Sequence, residues 1–325
     1  MTIELHRHLP VETLPVEILP ADPVRMPLSS RSPVSGAAGS DPSGDTGSAR
    51  RRAVTDRLSD IARQPLLPAS VIIVAVVIGW ALVPQLFTSY GPYDGDPASS
   101  FLPPGAEHWF GTDRLGRDLY SRTVYGARTT LMATLLAVVI AFVIGTVVGL
   151  LAGFAGGFAD TAIMRVVDVF LAIPSLLLAM VVVSVLGYST QNIALAVGIS
   201  SFAAFARVMR SEVLVVISSD YVKAAYGLGV RRPAVVLRHV VPNSLNSVLA
   251  LAALEVGTAV LAVASLGFLG YGAPPPEPEW GLLVAEGRDF VAVHPWISIM
   301  PGVALALVVI ATHRISASLR KDRRR

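Results

Sequence analysis

Three stretches of this chain contain no charged side chain: Gln64 to Tyr93, Thr129 to Ala159, and Val169 to Ala206. Each exceeds the ~20 residues that a helix needs to cross ~30 Å of hydrocarbon. They are read as membrane spans rather than buried core helices. Composition agrees, since 15% of residues are charged, against roughly 25% in soluble domains, and the mean hydropathy is +0.61. The sequence therefore predicts an all-α membrane protein.

Six spans are expected, at about 66–88, 130–152, 162–186, 191–210, 245–270 and 295–314. The 38-residue uncharged run from Val169 is divided at "GYSTQN" (187–192), because one helix of that length would overshoot the bilayer and Gly, Ser and Asn favour a tight turn. With both termini inside, 21 of the 26 Lys and Arg fall in inner segments and five in outer ones. That bias sets an N-in/C-in topology. The loops 89–129 and 271–294 then lie outside, and the segment 218–243 between spans 4 and 5 lies in the cytoplasm. Residues 1–60, rich in Pro, Ser and Gly, cannot bury enough apolar surface to offset ordering entropy, and are expected to be a disordered cytoplasmic tail ahead of a membrane domain over 61–325. An apolar run that begins only after sixty residues argues against a cleaved secretory signal.

Several chemistries are excluded. With no cysteine there is no disulfide, thiol nucleophile or thiolate-bound metal. The phosphate-binding loop G-x-x-x-x-G-K-[ST] needs a lysine after glycine, and neither Lys223 nor Lys321 follows one. His6 and His8 lie in the tail, while His108, His239, His294 and His313 are scattered without metal-ligand spacing. No serine has a recognisably spaced histidine and acid, so the chain is not expected to be an enzyme. The cations adjoin apolar spans, so lipid rather than nucleic acid is their expected neighbour.

A few residues stand out inside the spans. Glu255 lies in the fifth, where a charge costs on the order of 2.5–3.5 kcal/mol; it is either a contact in a translocation path or a hydrogen-bonded packing residue. Arg165 and Asp168, three apart at the start of span 3, are expected to form a structural ion pair. Pro174 should kink span 3, and the small residues of "GTVVGLLAG" (145–153) and "GISSFAAFA" (198–206) permit close helix approach.

The segment "DYVKAAYGLGVRRPAVVLRHVVPN" (220–243) reads as two short helices. Ser219 or Asp220 caps the first, which runs to about Leu228 with Gly229 as a left-handed terminator. Pro233 suits the first turn of the second, which Pro242 should end. Nine helical residues extend only ~14 Å, and isolated helices this short are marginal in water. A basic loop lying on anionic lipid would explain Arg231, Arg232 and Arg238, but the glycine-terminated helix fits a helix-in-groove contact better.

"KAAYGLG" (223–229), nine residues, then "HVVPN" (239–243) closely resembles the E-A-A-x-x-x-G-x9-I-x-L-P signature of ABC-importer permeases. The match covers Ala224, Ala225, Gly229 and Pro242; Lys223 stands where the family has glutamate, and His239 where the general pattern has isoleucine. "FGTDRLGRDLYSRTVYGARTTL" (110–131), "MRVVDVFLAIPSLLLA" (164–179), "GFLGYGAPPPEPEWG" (267–281) and "AEGRDFVAVHPWISIMPG" (285–302) are similar to the C-type permease subunit of dipeptide/oligopeptide importers. The family often carries glutamate in span 5 where this chain has Val263.

The resemblance implies that 218–243 forms cytoplasmic coupling helices that dock into ATPase subunits, with Tyr221, Lys223, Ala224, Ala225, Tyr226, Gly227, Leu228, Gly229, His239, Pro242 and Asn243 as the coupling residues. It also implies a homologous B-type permease partner, two ATP-binding subunits that hold ATP and Mg, an extracytoplasmic substrate-binding protein meeting the outer loops, and a place in the bacterial inner membrane. No cofactor is expected in this chain. The alternatives are an ion-gradient-driven secondary transporter, disfavoured by the absence of an internal repeat, and a membrane scaffold or sensor.

Overall fold

Glycines bring the two longest-packed helices together. The computed structural model describes residues 66–322; the expectations for residues 1–60, and for His6 and His8 within them, lie outside that range. α1 spans Leu66–Leu82 and α2 spans Leu119–Ala155. α3 (Gly157–Ala172) and α4 (Ser175–Leu186) follow, then α5 (Thr190–Ser218). Gly145 of α2 faces Phe205 of α5, Gly149 faces Ala206 and Met209, and Gly153 faces Val213, so the two helices run parallel. A Cβ at Gly149 would stand 2.4 Å from the Ala206 carbonyl oxygen. Close approach of backbones is how helices associate where no hydrophobic force acts between them, and it answers the small-residue runs of the sequence.

The capping chemistry explains the helix limits. Asp118 accepts the Ser121 N–H at 2.6 Å and starts α2 well before the expected Thr130, so the helix has 37 residues and is ~55 Å long. Gly156, at φ +64°, ends it. Between α3 and α4, Pro174 does more than kink the span: Ile173 is extended and the two helices diverge by 94°, as expected of a residue forced out of the helical region by the proline that follows it. The turn expected at "GYSTQN" is present. Gly187 has φ +93°, Ser189 accepts the Asn192 N–H, and the Asn192 side-chain amide donates to the Leu186 and Gly187 carbonyls.

After α5 come α6 (Asp220–Gly227), α7 (Arg232–Val235), a π-helical turn (Val236–Val240) and α8 (Val241–Phe268). α9 (Trp280–Gly287) and α10 (Trp296–Asp322) complete the described chain. α8 runs antiparallel to α10, with Ser316 Oγ donating to the Ala253 carbonyl and Gly257 against His313. Ala137, Val183, Ile193, Val197, Val263 and Leu266 form the core where α2, α4, α5 and α8 meet. Many large apolar side chains on the outer faces, among them Leu135, Val139, Val143 and Val147 of α2, remain exposed, as suits helices solvated by lipid.

Among the described residues, four helices are long and apolar enough to cross a membrane: Leu119–Ala155, Thr190–Ser218, Pro233–Phe268 and Trp296–Ser318. The bent pair α3 and α4 would make a fifth, and α1 is apolar but has 17 residues. This is a multi-pass membrane protein built of helices.

Candidate functional site

The segment 219–243 folds as a knob at the end of the bundle where α2 and α5 finish. α6 buries Val222 and Ala225 against Val213, Val216, Val235, Val240 and Val248. Its other face is open, with Tyr221, Lys223, Ala224, Gly227 and Leu228 exposed, Leu228 at 85%. The helix ends in a full Schellman motif: the Val230 N–H donates to Ala225 O and the Gly229 N–H to Tyr226 O, with Gly229 at φ +78°. Nothing lies within 4 Å of a Cβ placed on Gly229. The glycine is therefore required by backbone conformation, not by space. Ser219 occupies the N-cap position, but its hydroxyl donates to the Val216 carbonyl instead of receiving a backbone N–H. Lys223 Nζ lies 3.4 Å from Asp220 Oδ1, both in solvent.

The second half differs from the two-helix expectation. Pro242 does not end a short helix, and the chain stays helical from Arg232 to Phe268. The π turn makes this tolerable. The Val241 N–H reaches back five residues to Val236 O, and the Asn243 side-chain amide donates to His239 O at 2.6 Å, so carbonyls on either side of the one that loses the proline donor are held. Tyr221 and His239 lie with ring centroids 6.3 Å apart, joining α6 to the π turn.

Glu255 of α8 faces α5, where Ser201 Oγ donates to its Oε1 at 2.8 Å. The expected Arg165–Asp168 pair is absent. Asp168 instead bonds Arg207 of α5 at 2.6 Å, because Asp160, Met164, Val167 and Asp168 form the face of α3 that packs on α5, and Arg165 lies off that face in the open. Asp160 makes a bidentate contact with Arg210, both bonds at 2.6 Å. Two carboxylates on α3 and two guanidiniums on α5 thus clamp these helices beside the knob.

At the opposite end, a buried charge network was not legible in the sequence. Arg122 of α2 is fully buried. Its Nη1 donates to Asp113 Oδ2 at 2.9 Å and to Glu286 Oε2 of α9. Arg117 Nε donates to the same Asp113 oxygen at 2.7 Å. Asp113 Oδ1 also takes the Leu115 and Arg117 N–H groups, which closes the turn around Gly116, at φ +69°. Asp118 receives His108 Nδ1 at 2.8 Å while capping α2. Each of these ions has a counter-ion or several donors, as burial of charge demands. The only hint in the sequence was the dense pairing of acids and bases in "DRLGRDLYSR", with Glu286 far along the chain.

Beside it, Glu279 caps α9, accepting the Gly281 and Leu282 N–H groups at 2.9 Å and the Thr130 hydroxyl. Burial pushes its carboxyl up to about 7 despite those donors. Trp280, buried, donates its indole N–H to Thr123 O at 2.8 Å.

Comparison with known proteins decides the family. Residues 145–325 match the family described as "Binding-protein-dependent transport system inner membrane component". This chain is a permease of that family. Among curated relatives, the permease is 38% identical over 265 residues to the dipeptide transport system permease protein DppC of Alkalihalophilus pseudofirmus, covering 82% of this chain and 87% of the relative. It is 39% identical over 249 residues to the glutathione transport system permease protein GsiD of Shigella flexneri, covering 77% and 80%. It is 38% identical over 256 residues to the probable D,D-dipeptide transport system permease protein DdpC of Escherichia coli, covering 79% and 86%. The permease thus belongs with the dipeptide/oligopeptide group of ABC-importer permeases.

Proposed function

We propose that this permease forms half of a translocation path for di- or oligopeptides in the bacterial cytoplasmic membrane and converts ATPase closure into alternating access. The observation that carries this reading is the similarity to peptide-type permeases across about four-fifths of the chain, joined to a knob whose outer face is exposed. In this reading six spans run N-in/C-in, with α1 and the bent pair α3 and α4 as the first and third, and the knob reaches the cytoplasm. A B-type permease completes the path, two ATP-binding subunits hold ATP and Mg, and an extracytoplasmic binding protein delivers peptide to the 89–118 and 271–295 side.

The exposed Tyr221, Lys223, Ala224 and Leu228 would enter the ATPase groove, while Ala225, His239 and Asn243 hold the knob in shape. ATP can shift the permease between states only if the ATPases bind those states with different free energy, and a rigid knob makes that difference mechanical. Peptide uptake by the reconstituted assembly tests the reading. Uptake should vanish when the ATP-binding subunits lose their phosphate-loop lysines; uptake sustained by an ion gradient alone would overturn it.

A further inference from the structure

A cavity of about 460 Å³ opens beside α2 and the start of α5, at the end that carries the buried charge network. Its volume falls within the ~300–1,000 Å³ usual for small-ligand sites. The lining is unusual for a surface that only meets lipid. Arg128 of α2 and Glu277 of the α8–α9 connection both line it, both are exposed, and neither makes an ion pair or hydrogen bond among the described residues. Thr190, the first residue of α5, also lines it, although its Oγ1 is buried behind the cavity surface. Between these polar groups the wall is apolar, formed by Met132, Ala133 and Leu136.

A cation, an anion and an apolar wall around one small volume match a zwitterion with an apolar side chain. We propose that this cavity is a binding subsite for short peptides, in which Arg128 takes the terminal carboxylate, Glu277 takes the terminal ammonium, and Met132 and Leu136 contact a side chain. This rests on the peptide reading above and deepens it. A guanidinium matches a carboxylate with two parallel N–H donors. Both charged groups stay hydrated when the cavity is empty, so neither carries the penalty of an unpaired buried ion.

The test uses the complete transporter in proteoliposomes with its binding protein, and a mixture of labelled zwitterionic dipeptides with an N-acetylated counterpart of each. Arg128→Gln and Glu277→Gln should each lower initial uptake about tenfold, as expected for loss of one charge-assisted contact. Both alter exposed groups without a partner among the described residues, so abundance should match the unaltered protein. Glu277→Gln should in addition erase the preference for free-amine over N-acetylated peptides, which loss of folding would not do. Uptake within twofold of the unaltered transporter for both variants, with the amine preference intact, would overturn the subsite alone. If the unaltered transporter imports none of the dipeptides, the peptide reading falls and the subsite falls with it.

Discussion

At the scale of single residues, conformation and charge burial give the sharpest expectations. Gly229 sits at φ +78°, where a β-carbon costs about 1–2 kcal/mol and a β-branched side chain more. Gly229→Ala should therefore loosen the end of α6, and Gly229→Val should lower peptide transported per ATP hydrolysed further, with membrane insertion unchanged. Transport stoichiometry measured in proteoliposomes checks both. Glu279 carries a pH expectation. Its carboxyl is raised from 4.5 to about 7 in the folded protein, so the stability it contributes is full below about 4.5 and is lost as pH rises through about 7. Thermal unfolding in detergent should shift downward as pH rises from about 4.5 to about 7 and level off above, and Glu279→Gln, which keeps an acceptor for Gly281 and Thr130, should flatten that dependence. Arg122→Met should destabilise by about 3–5 kcal/mol, because Asp113 and Glu286 lose a buried counter-ion. Unfolding measurements on Arg122→Met and on the Arg122→Met/Glu286→Gln double variant separate the pair from its surroundings.

At the scale of elements, the parallel α2–α5 pair depends on three glycines a turn apart. Gly149→Leu should force the helices apart and lower the unfolding temperature by the equivalent of about 1–3 kcal/mol or more, whereas Asp168→Asn, which breaks a half-exposed pair with Arg207, should change it by less than about 1 kcal/mol. The same contrast explains what could be read from sequence. Uncharged runs and glycine punctuation are local signals, so the helices, the turn at 187–189 and the left-handed Gly229 were all legible. Sequence spacing pairs Asp168 with its helical neighbour Arg165 because it reveals only contacts within one element; the partner, Arg207, lies 39 residues on. The start of α2 was hidden because Arg122 and Arg128 make its first turns look like a polar loop. Pro242 reads as a helix end because the π turn that carries the helix past it leaves no mark in the sequence. The Arg122–Glu286 contact spans 164 residues, beyond any periodicity.

At the scale of the whole molecule, the bundle has two dissimilar ends. One is locked by the Asp113, Arg117, Arg122 and Glu286 network, so the loop before α2 and the short helix α9 move as one piece with the first turns of α2. The other ends in the knob, tied to α5 and α8 by an apolar core, beside the Arg207 and Arg210 clamps that join α5 to α3. Such a body can transmit a push on α6 along α5 and α8 toward the cavity between α2 and α5, because packed helices shift as units. The chain contains no cysteine, which permits a direct test of that claim. A single Leu228→Cys, at the most exposed apolar position of the knob, labelled with a benzophenone maleimide, should photocross-link to an ATP-binding subunit in the assembled transporter. Val222→Cys, on the buried face, should not. Cross-linking of Leu228→Cys at the ATPase that changes with ATP is the predicted result; a Leu228→Cys thiol equally reactive with a soluble maleimide whether or not the ATPases are present, and never captured by them, would contradict it.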